Sequence, residues 1–409
     1  MNLRRLAPHR TARRRRSSTF GLVGLVLSLV ALGCSRPASA PSAEPFALPL
    51  PTSFSSEGAH WAIVPMGHLG SEANTFWQLV VERPGSTTWV LATPPGVADN
   101  GGLVVRGGAS RPLAIGFLTS ELLGFSPLAA TSDTGHNWSG TVLPSALTPV
   151  PDALAGSGGG ESVALLGREG ESVVADKGGL GAWRTILTRK ALVAAPGSSS
   201  CGIGALTAVA LAGPGSGAPL VGATCSRKGQ VGLFESSGGS WRDVGPRLTG
   251  ALSTSSTEVA GLTADGSRLQ VLVAARTGSL WTLSEITQKS AGTSWTVSAG
   301  LAIGAGTRIQ AIGAVPRGGL FVLLANGSAA SPRDEKLEVL VQPGRRWQLM
   351  TSPPSATQTV AFASAAPVTK GLEAFVVDQS TLTMYRLEGT NAWVKREVMG
   401  VQIPYSSSS

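Results

Sequence analysis

The chain has 409 residues, of which only 14% are charged, while 53 are Gly and 26 are Pro. So turn-rich and weakly charged a composition excludes a helical bundle and suits many short strands. The formal charge of +9 is concentrated at one end: seven of the 33 bases (Arg4, Arg5, Arg10, Arg13, Arg14, Arg15, Arg16) fall in 1–33, which holds no acid. What remains is 26 bases against 24 acids, so the basic balance reports the first segment and gives no support to a nucleic-acid partner.

The first segment has the layout of an export signal. Its arginines end near Ser18 and an apolar run, Phe20–Leu32, follows. That run is too short to span a bilayer. It closes on Val30-Ala-Leu-Gly-Cys34, which resembles a bacterial lipobox. The resemblance implies cleavage after residue 33, a lipid on Cys34, and residence on the outer face of the cell membrane. An ordinary secretory signal with an incidental cysteine is the alternative. Residues 34–45 are rich in Pro, Ala and Ser and are expected to form a semi-rigid tether. Residues 46–409 form the folded domain.

Within that domain a Gly–Trp turn recurs. The versions are Gly85-Ser-Thr-Thr-Trp89, Thr131-Ser-Asp-Thr-Gly-His-Asn-Trp138, Gly181-Ala-Trp183, Gly239-Ser-Trp241, Gly292-Thr-Ser-Trp295, Gly344-Arg-Arg-Trp347 and Gly389-Thr-Asn-Ala-Trp393. The tryptophans are 49, 45, 58, 54, 52 and 46 residues apart. Such a period with an aromatic mark is the signature of propeller blades. Two apolar runs precede each turn, and a shorter strand starts at the Trp. In the sixth repeat the expected strands are 308–315, 319–324, 336–341 and 347–350. In the seventh they are 360–365, 372–377, 382–387 and 393–398, and in the fifth 258–262, 269–274, 280–284 and 295–298. Continuous apolar runs mark strands covered on both faces, and alternation marks those nearer the rim. The fold expected is all-β, a seven-bladed β-propeller of four-stranded antiparallel blades, with the turn tryptophans as plugs between blades.

Only the second turn is complete. Asp133 can accept hydrogen bonds from its own turn, Gly135 can take φ > 0, and Trp138 opens the next strand. With Thr131 these residues resemble the Asp-box, or BNR, repeat of sialidase-like β-propellers. The resemblance implies a structural role for Thr131, Asp133, Gly135 and Trp138, away from the ligand face.

It also prompts a search for sialidase chemistry. The Arg-Ile-Pro start is absent, and neither Tyr385 nor Tyr405 has a Glu partner by sequence. Glycoside hydrolysis needs two facing carboxylates, and the candidate acids are scattered on turns. His60, His68 and His136 lack metal-ligand spacing, so no metal or other cofactor is expected. Cys201 and Cys225, the two cysteines besides Cys34, are read as one disulfide, with two buried thiols as the alternative. One asymmetry remains. Repeats three, four and five end their second strand with a base: Arg168, Arg227 beside Lys228, and Arg276. Set on one face, they would bind carboxylate or phosphate; solvated hairpin charges are the alternative. The expected protein is a monomeric, non-enzymatic binder of a protein or anionic glycan at the cell envelope. A sialidase-like glycoside hydrolase is the second reading.

Overall fold

Apolar runs bounded by Gly, Pro and Ser fold as short strands, bonded antiparallel within each sheet and mostly to a neighbour in sequence. The computed structural model describes 54–400 except 57, 68–74, 95–102, 107–112, 118–123, 149, 151, 157–159, 179, 212–217, 266–267, 290–293, 305–306, 315–318, 329–330, 342–345, 351–359, 369–370, 379–380 and 389–391. The expected signal, Cys34, the tether, His68 and Tyr405 lie outside the described residues.

The first sheet runs β1 (Phe54–Ser56), β2 (Ala59–Gly67), β3 (Thr75–Glu82), β4 (Trp89–Leu91). The second runs β5 (Leu103–Arg106), β6 (Leu113–Phe117), β7 (Ser126–Thr131), β8 (Ser139–Leu143). The third runs β9 (Leu154–Gly156), β10 (Glu161–Leu166), β11 (Ser172–Lys177), β12 (Arg184–Thr188). A nine-stranded sheet follows. One half holds β13 (Ile203–Leu211), β14 (Pro219–Cys225), β15 (Gly232–Ser237) and β16 (Ser240–Asp243). The other holds β17 (Ser256–Asp265), β18 (Arg268–Thr277), β19 (Leu280–Gln288) and β20 (Thr296–Val297), with β21 (Leu301–Ile303) also on β19. Two pairings, Thr224 with Glu258 and Cys225 with Thr257, join the halves. Next come β22 (Thr307–Ala314), β23 (Leu320–Ser328), β24 (Ser331–Val341), β25 (Arg346–Met350), and last β26 (Val360–Val368), β27 (Gly371–Asp378), β28 (Thr381–Glu388), β29 (Ala392–Gly400). Among the described residues the one α-helix is α1 (Arg189–Ala194), which starts on a Thr188 side-chain cap. The fold is all-β.

The turn tryptophans stand at the start of the edge strands, as the repeat grammar requires, while the glycines of the last three turns lie outside the described residues. Trp89 opens β4; Trp138, Trp183 and Trp295 immediately precede β8, β12 and β20; Trp241, Trp347 and Trp393 are second in β16, β25 and β29. Middle strands such as β10, β14 and β18 are almost wholly buried, whereas β8, β12, β16 and β29 are largely exposed. The tryptophans follow their strands. Trp89 is only 2% exposed, but the other six are half-buried, because an edge strand keeps one face in water. Trp138, Trp183, Trp241, Trp295 and Trp347 still pack against apolar clusters, so of the expected plugs only Trp89 is fully buried and these five cover the core from its edge.

Consecutive sheets bury apolar faces on one another. Trp138 joins the cluster of Trp61, Ile63 and Leu79 from the first sheet, meeting Trp61 edge-on with ring centres 6.3 Å apart. Leu143 of the second sheet, Leu165 of the third and Phe234 in β15 share one cluster. Leu220 and Leu233 pack with Val259 and Val271 across the nine-stranded sheet, and Leu272 packs with Val322 and Trp347 beyond it. Finally, Val64, Val80 and Trp89 of the first sheet pack on Phe375, Leu382 and Met384 of the last. Each such side chain contributes roughly 1.5–3 kcal/mol.

Two links reinforce this assembly. Asp152, buried just before β9, accepts the Val209 amide of β13 on its carbonyl (2.8 Å) and the Leu262 amide of β17 on Oδ2 (2.6 Å). The expected disulfide joins Cys201 to Cys225, the last residue of β14, with Cα atoms 4.9 Å apart. Gly232 lies beneath it. A Cβ there would stand 2.8 Å from the Cys225 sulfur and 3.1 Å from that of Cys201, so only glycine fits.

Candidate functional site

The complete turn is built as its residue types suggest. Asp133 Oδ1 accepts the Thr131 hydroxyl (2.7 Å) and the amides of His136 (3.1 Å) and Asn137 (2.9 Å). This donor set holds the carboxyl far below the usual carboxylate range, with the Asn137 amide the largest cause. The Thr131 hydroxyl in turn accepts the Gly135 amide (3.0 Å). Gly135 has φ +83°, and a Cβ would meet Ala92 at 3.0 Å and Trp61 at 3.1 Å, so the turn sits directly on the first sheet. Asp133 has its acceptor oxygens turned inward on its own loop, which is a structural role. The third sheet has a looser counterpart: Asp176 accepts the amides of Leu180 (3.0 Å) and Ala182 (2.6 Å) ahead of Trp183.

The three sequence-predicted arginines lie at the second-to-third-strand hairpins of adjacent units. Arg168 is exposed between β10 and β11, Arg227 is exposed between β14 and β15, and Arg276 is half-buried at the end of β18. Local contacts link these hairpins into one strip. Glu169 is 3.7 Å from Arg189 at the start of α1, and Arg189 donates to the Gly204 carbonyl (2.8 Å). The Cys201 carbonyl accepts the Arg227 amide (3.0 Å). Gly229 donates to the Ser255 carbonyl (2.8 Å), and the Ser255 and Thr277 hydroxyls are bonded at 2.5 Å. Arg247, which follows β16, forms an antiparallel backbone bridge to Gln230 in the β14–β15 connection.

The strip therefore carries Arg168, Arg189, Lys190, Arg227, Lys228, Arg247 and Arg276 against Glu169, Glu171 and Asp243. The last of these is engaged by the Ser200 hydroxyl (2.5 Å), the Gly245 amide (3.0 Å) and the Gln230 side chain (3.2 Å). Arg276 does not reach toward Arg227. Its Nε donates to the Gly278 carbonyl (3.0 Å), and its guanidinium lies 5.6 Å over the Trp281 ring. Such a surface offers several separate charge contacts instead of one clamp. Each is worth about 0–1 kcal/mol alone, so useful affinity requires several together. Arg189, Lys190 and Arg247 add to the arginines singled out by sequence. The adjacent Arg189-Lys190 pair directly after β12 is the signal that marks this stretch.

A second ionisable cluster sits where the first and last sheets meet. Arg386 donates from Nε to Glu373 Oε1 (2.6 Å) and pairs with the same oxygen through Nη2, which is also 3.8 Å from Glu82. Glu373 Oε2 accepts the Trp89 indole N–H (2.5 Å), and Glu397 accepts the Trp89 amide (3.0 Å). His60, paired with Glu82 across β2 and β3, completes the cluster. Glu82 and Glu373 are 6% and 1% exposed and share one guanidinium, so they are not set to work on a substrate. Burial holds His60 below its ordinary range, against the pull of Glu373.

Burial, reinforced by the Glu373 charge and opposed by Arg386, raises Glu82 above the ordinary carboxylate range. The folded state thus binds this proton more readily than the unfolded chain. Its contribution to stability is complete below about pH 4.5 and is lost as pH rises through the raised value. Glu82→Gln does not titrate, so its stability relative to the natural protein should increase between pH 4 and pH 8. Urea melts at both ends test this; a difference unchanged by pH would show that Glu82 titrates as an ordinary surface carboxylate.

Among the described residues no three His, Cys, Asp or Glu side chains are grouped to hold a metal, and no helix is long and apolar enough to cross a membrane. No protein-family model and no curated sequence matches the chain. Solved structures similar to it include a protein from Lactobacillus plantarum, at 12% identity over 71% of this chain and 82% of that one (TM-score 0.44). A periplasmic gluconolactonase from Pseudomonas aeruginosa is 9% identical over 84% and 100% (TM-score 0.46). The polysaccharide lyase Uly1 is 9% identical over 88% and 91% (TM-score 0.37). Likenesses this distant assign no activity to any residue here.

Proposed function

We propose that this chain is a lipid-anchored, extracytoplasmic, seven-bladed β-propeller that binds an anionic glycan or acidic protein without catalysis. Supporting the blade count are the four-strand antiparallel units, seven when the nine-stranded sheet is divided at its two-pair junction. Supporting a closed ring is the packing of the first sheet on the last. The turn at 131–138 supports kinship with Asp-box propellers, and the residues before Cys34 support the anchor. The observation that carries the binding role is the recurrence of Arg168, Arg227 and Arg276 at equivalent hairpins of three consecutive units, with further bases between them.

Binding of the mature protein to immobilised polygalacturonate and to polyglutamate, followed across a salt series, tests the role. Affinity should fall steeply as salt rises, since screening acts over about 10 Å at 0.1 M. The combined Arg168→Ala, Arg227→Ala, Arg276→Ala chain should lose binding to whichever polymer is taken while melting as before. Equal binding by that chain, or binding indifferent to salt, rules the strip out.

A further inference from the structure

Nine large apolar side chains are exposed among the described residues, and six of them lie on the edge strands β4, β8, β20, β25 and β29. The other three, Phe125, Val193 and Leu280, stand at the end of the sheets that carries the basic strip. Phe125 is 42% exposed immediately before β7, in the second-to-third-strand connection of the second sheet. The hydroxyl of its neighbour Ser126 accepts the Leu147 amide (2.8 Å), and the Ala146 carbonyl accepts the Gly167 amide (2.8 Å). These bonds tie the Phe125 segment to the Arg168 hairpin. Val193, 51% exposed, follows Arg189 by one helical turn in α1 and shares its helix face. Leu280, 58% exposed, opens β19 opposite Thr277, in the hairpin that follows Arg276.

Isolated exposed apolar side chains are ordinary on any surface; the charge around these three sets them apart. Here bases outnumber acids, whereas at the opposite end Lys177 and Arg242 each pair with an acid on the adjoining strand, Glu161 and Glu235. We infer that the strip end also docks on an anionic phospholipid bilayer. Its bases meet the headgroup phosphates, while Phe125, Val193 and Leu280 enter the boundary between headgroups and acyl chains. Lys190 and Lys228 suit that boundary, since a lysine stem can lie along apolar surface with its ammonium among the headgroups. The inference rests on the strip being an anion-binding surface, and adds an apolar component that a soluble polyanion does not engage.

Sedimentation with vesicles tests the docking, using the mature protein with Cys34→Ser so that no acyl chain contributes. It should bind vesicles of equimolar phosphatidylglycerol and phosphatidylcholine, and not vesicles of phosphatidylcholine alone, which carry no net charge. The combined Phe125→Ser, Val193→Ser, Leu280→Ser chain should bind the mixed vesicles roughly tenfold or more weakly, because three apolar side chains no longer leave water. Its melting temperature and its binding to polyglutamate should not change. Leu280→Ser alone should show a smaller loss in the same direction, which keeps the test decisive if the triple variant fails to fold. Mixed-vesicle binding that the apolar substitutions leave intact, or equal binding to both kinds of vesicle, overturns the docking. So does a protein that holds polyglutamate but neither vesicle, and that outcome leaves the strip's own role standing. Failure to bind polymer and vesicle alike removes the strip reading and the docking with it.

Discussion

Replacing Trp89 with alanine will destabilise the fold by about 3–5 kcal/mol, more than the same change at any other turn tryptophan. Its indole is 2% exposed, stands edge-on to Phe375 with ring centres 4.9 Å apart, and donates to Glu373. Truncation empties a large volume between two sheets and leaves a buried carboxylate oxygen without its indole donor. Trp347 is the useful comparison. It occupies the corresponding place in β25 but is half-buried, so Trp347→Ala should cost about 1–2 kcal/mol, in proportion to the smaller area withdrawn from water. Urea denaturation midpoints of the two variants decide the matter. Equal losses would mean that the position in the repeat, and not burial between the first and last sheets, sets the cost.

Loss of the Cys201–Cys225 bridge is the second large effect. The cysteines are 24 residues apart, and closing such a loop removes unfolded-state freedom worth about 3 kcal/mol. The bridge fastens α1 and the following Ser198–Ser200 turn to the end of β14, and Arg227 hangs from the Cys201 carbonyl. The Cys201→Ser, Cys225→Ser chain should therefore melt lower and hold the strip less firmly. Peptide mapping without reduction should recover the two cysteines linked. Native protein in which both thiols react with an alkylating agent would contradict the bridge. Gly232→Ala supplies an independent check, because its methyl group would press on both sulfurs without removing either.

Much of this architecture is legible in the sequence because it is local. Apolar runs between Gly and Pro give strands, and 308–315 appears as Thr307–Ala314, 372–377 as Gly371–Asp378. Trp at the turn marks the edge strand, since hairpin chemistry and the aromatic plug lie within a few residues of each other. The bases at Arg168, Arg227 and Arg276 are legible as hairpin positions, but the turning of Arg276 onto Trp281 depends on rotamers that no spacing encodes. The third-sheet turn is legible from Gly181 and Trp183, but the part Asp176 plays in it is not, because Asp176 stands seven residues before Trp183, against five between Asp133 and Trp138. The helix Arg189–Ala194 falls in a connection whose Gly and Ser content hides it. The Trp89–Glu373–Arg386 cluster is the least legible of all. Trp89 stands out as a turn tryptophan, but Glu373 lies 284 residues from it, and Glu373 and Arg386 each read alone as an ordinary strand side chain.

Repeat arrays are often treated as strings of interchangeable beads, free to gain or lose one by duplication or deletion. Asp152 withdraws that freedom from the middle of this chain. Its carboxylate is met by an amide 110 residues further on, past the whole β13–β16 half. A copy added or deleted between β9 and β17 would change the distance this side chain must span and leave a buried charge without its amide donor. Lineages of this protein should therefore vary in length at the outer units and keep the stretch from Asp152 to Leu262 as an undivided block.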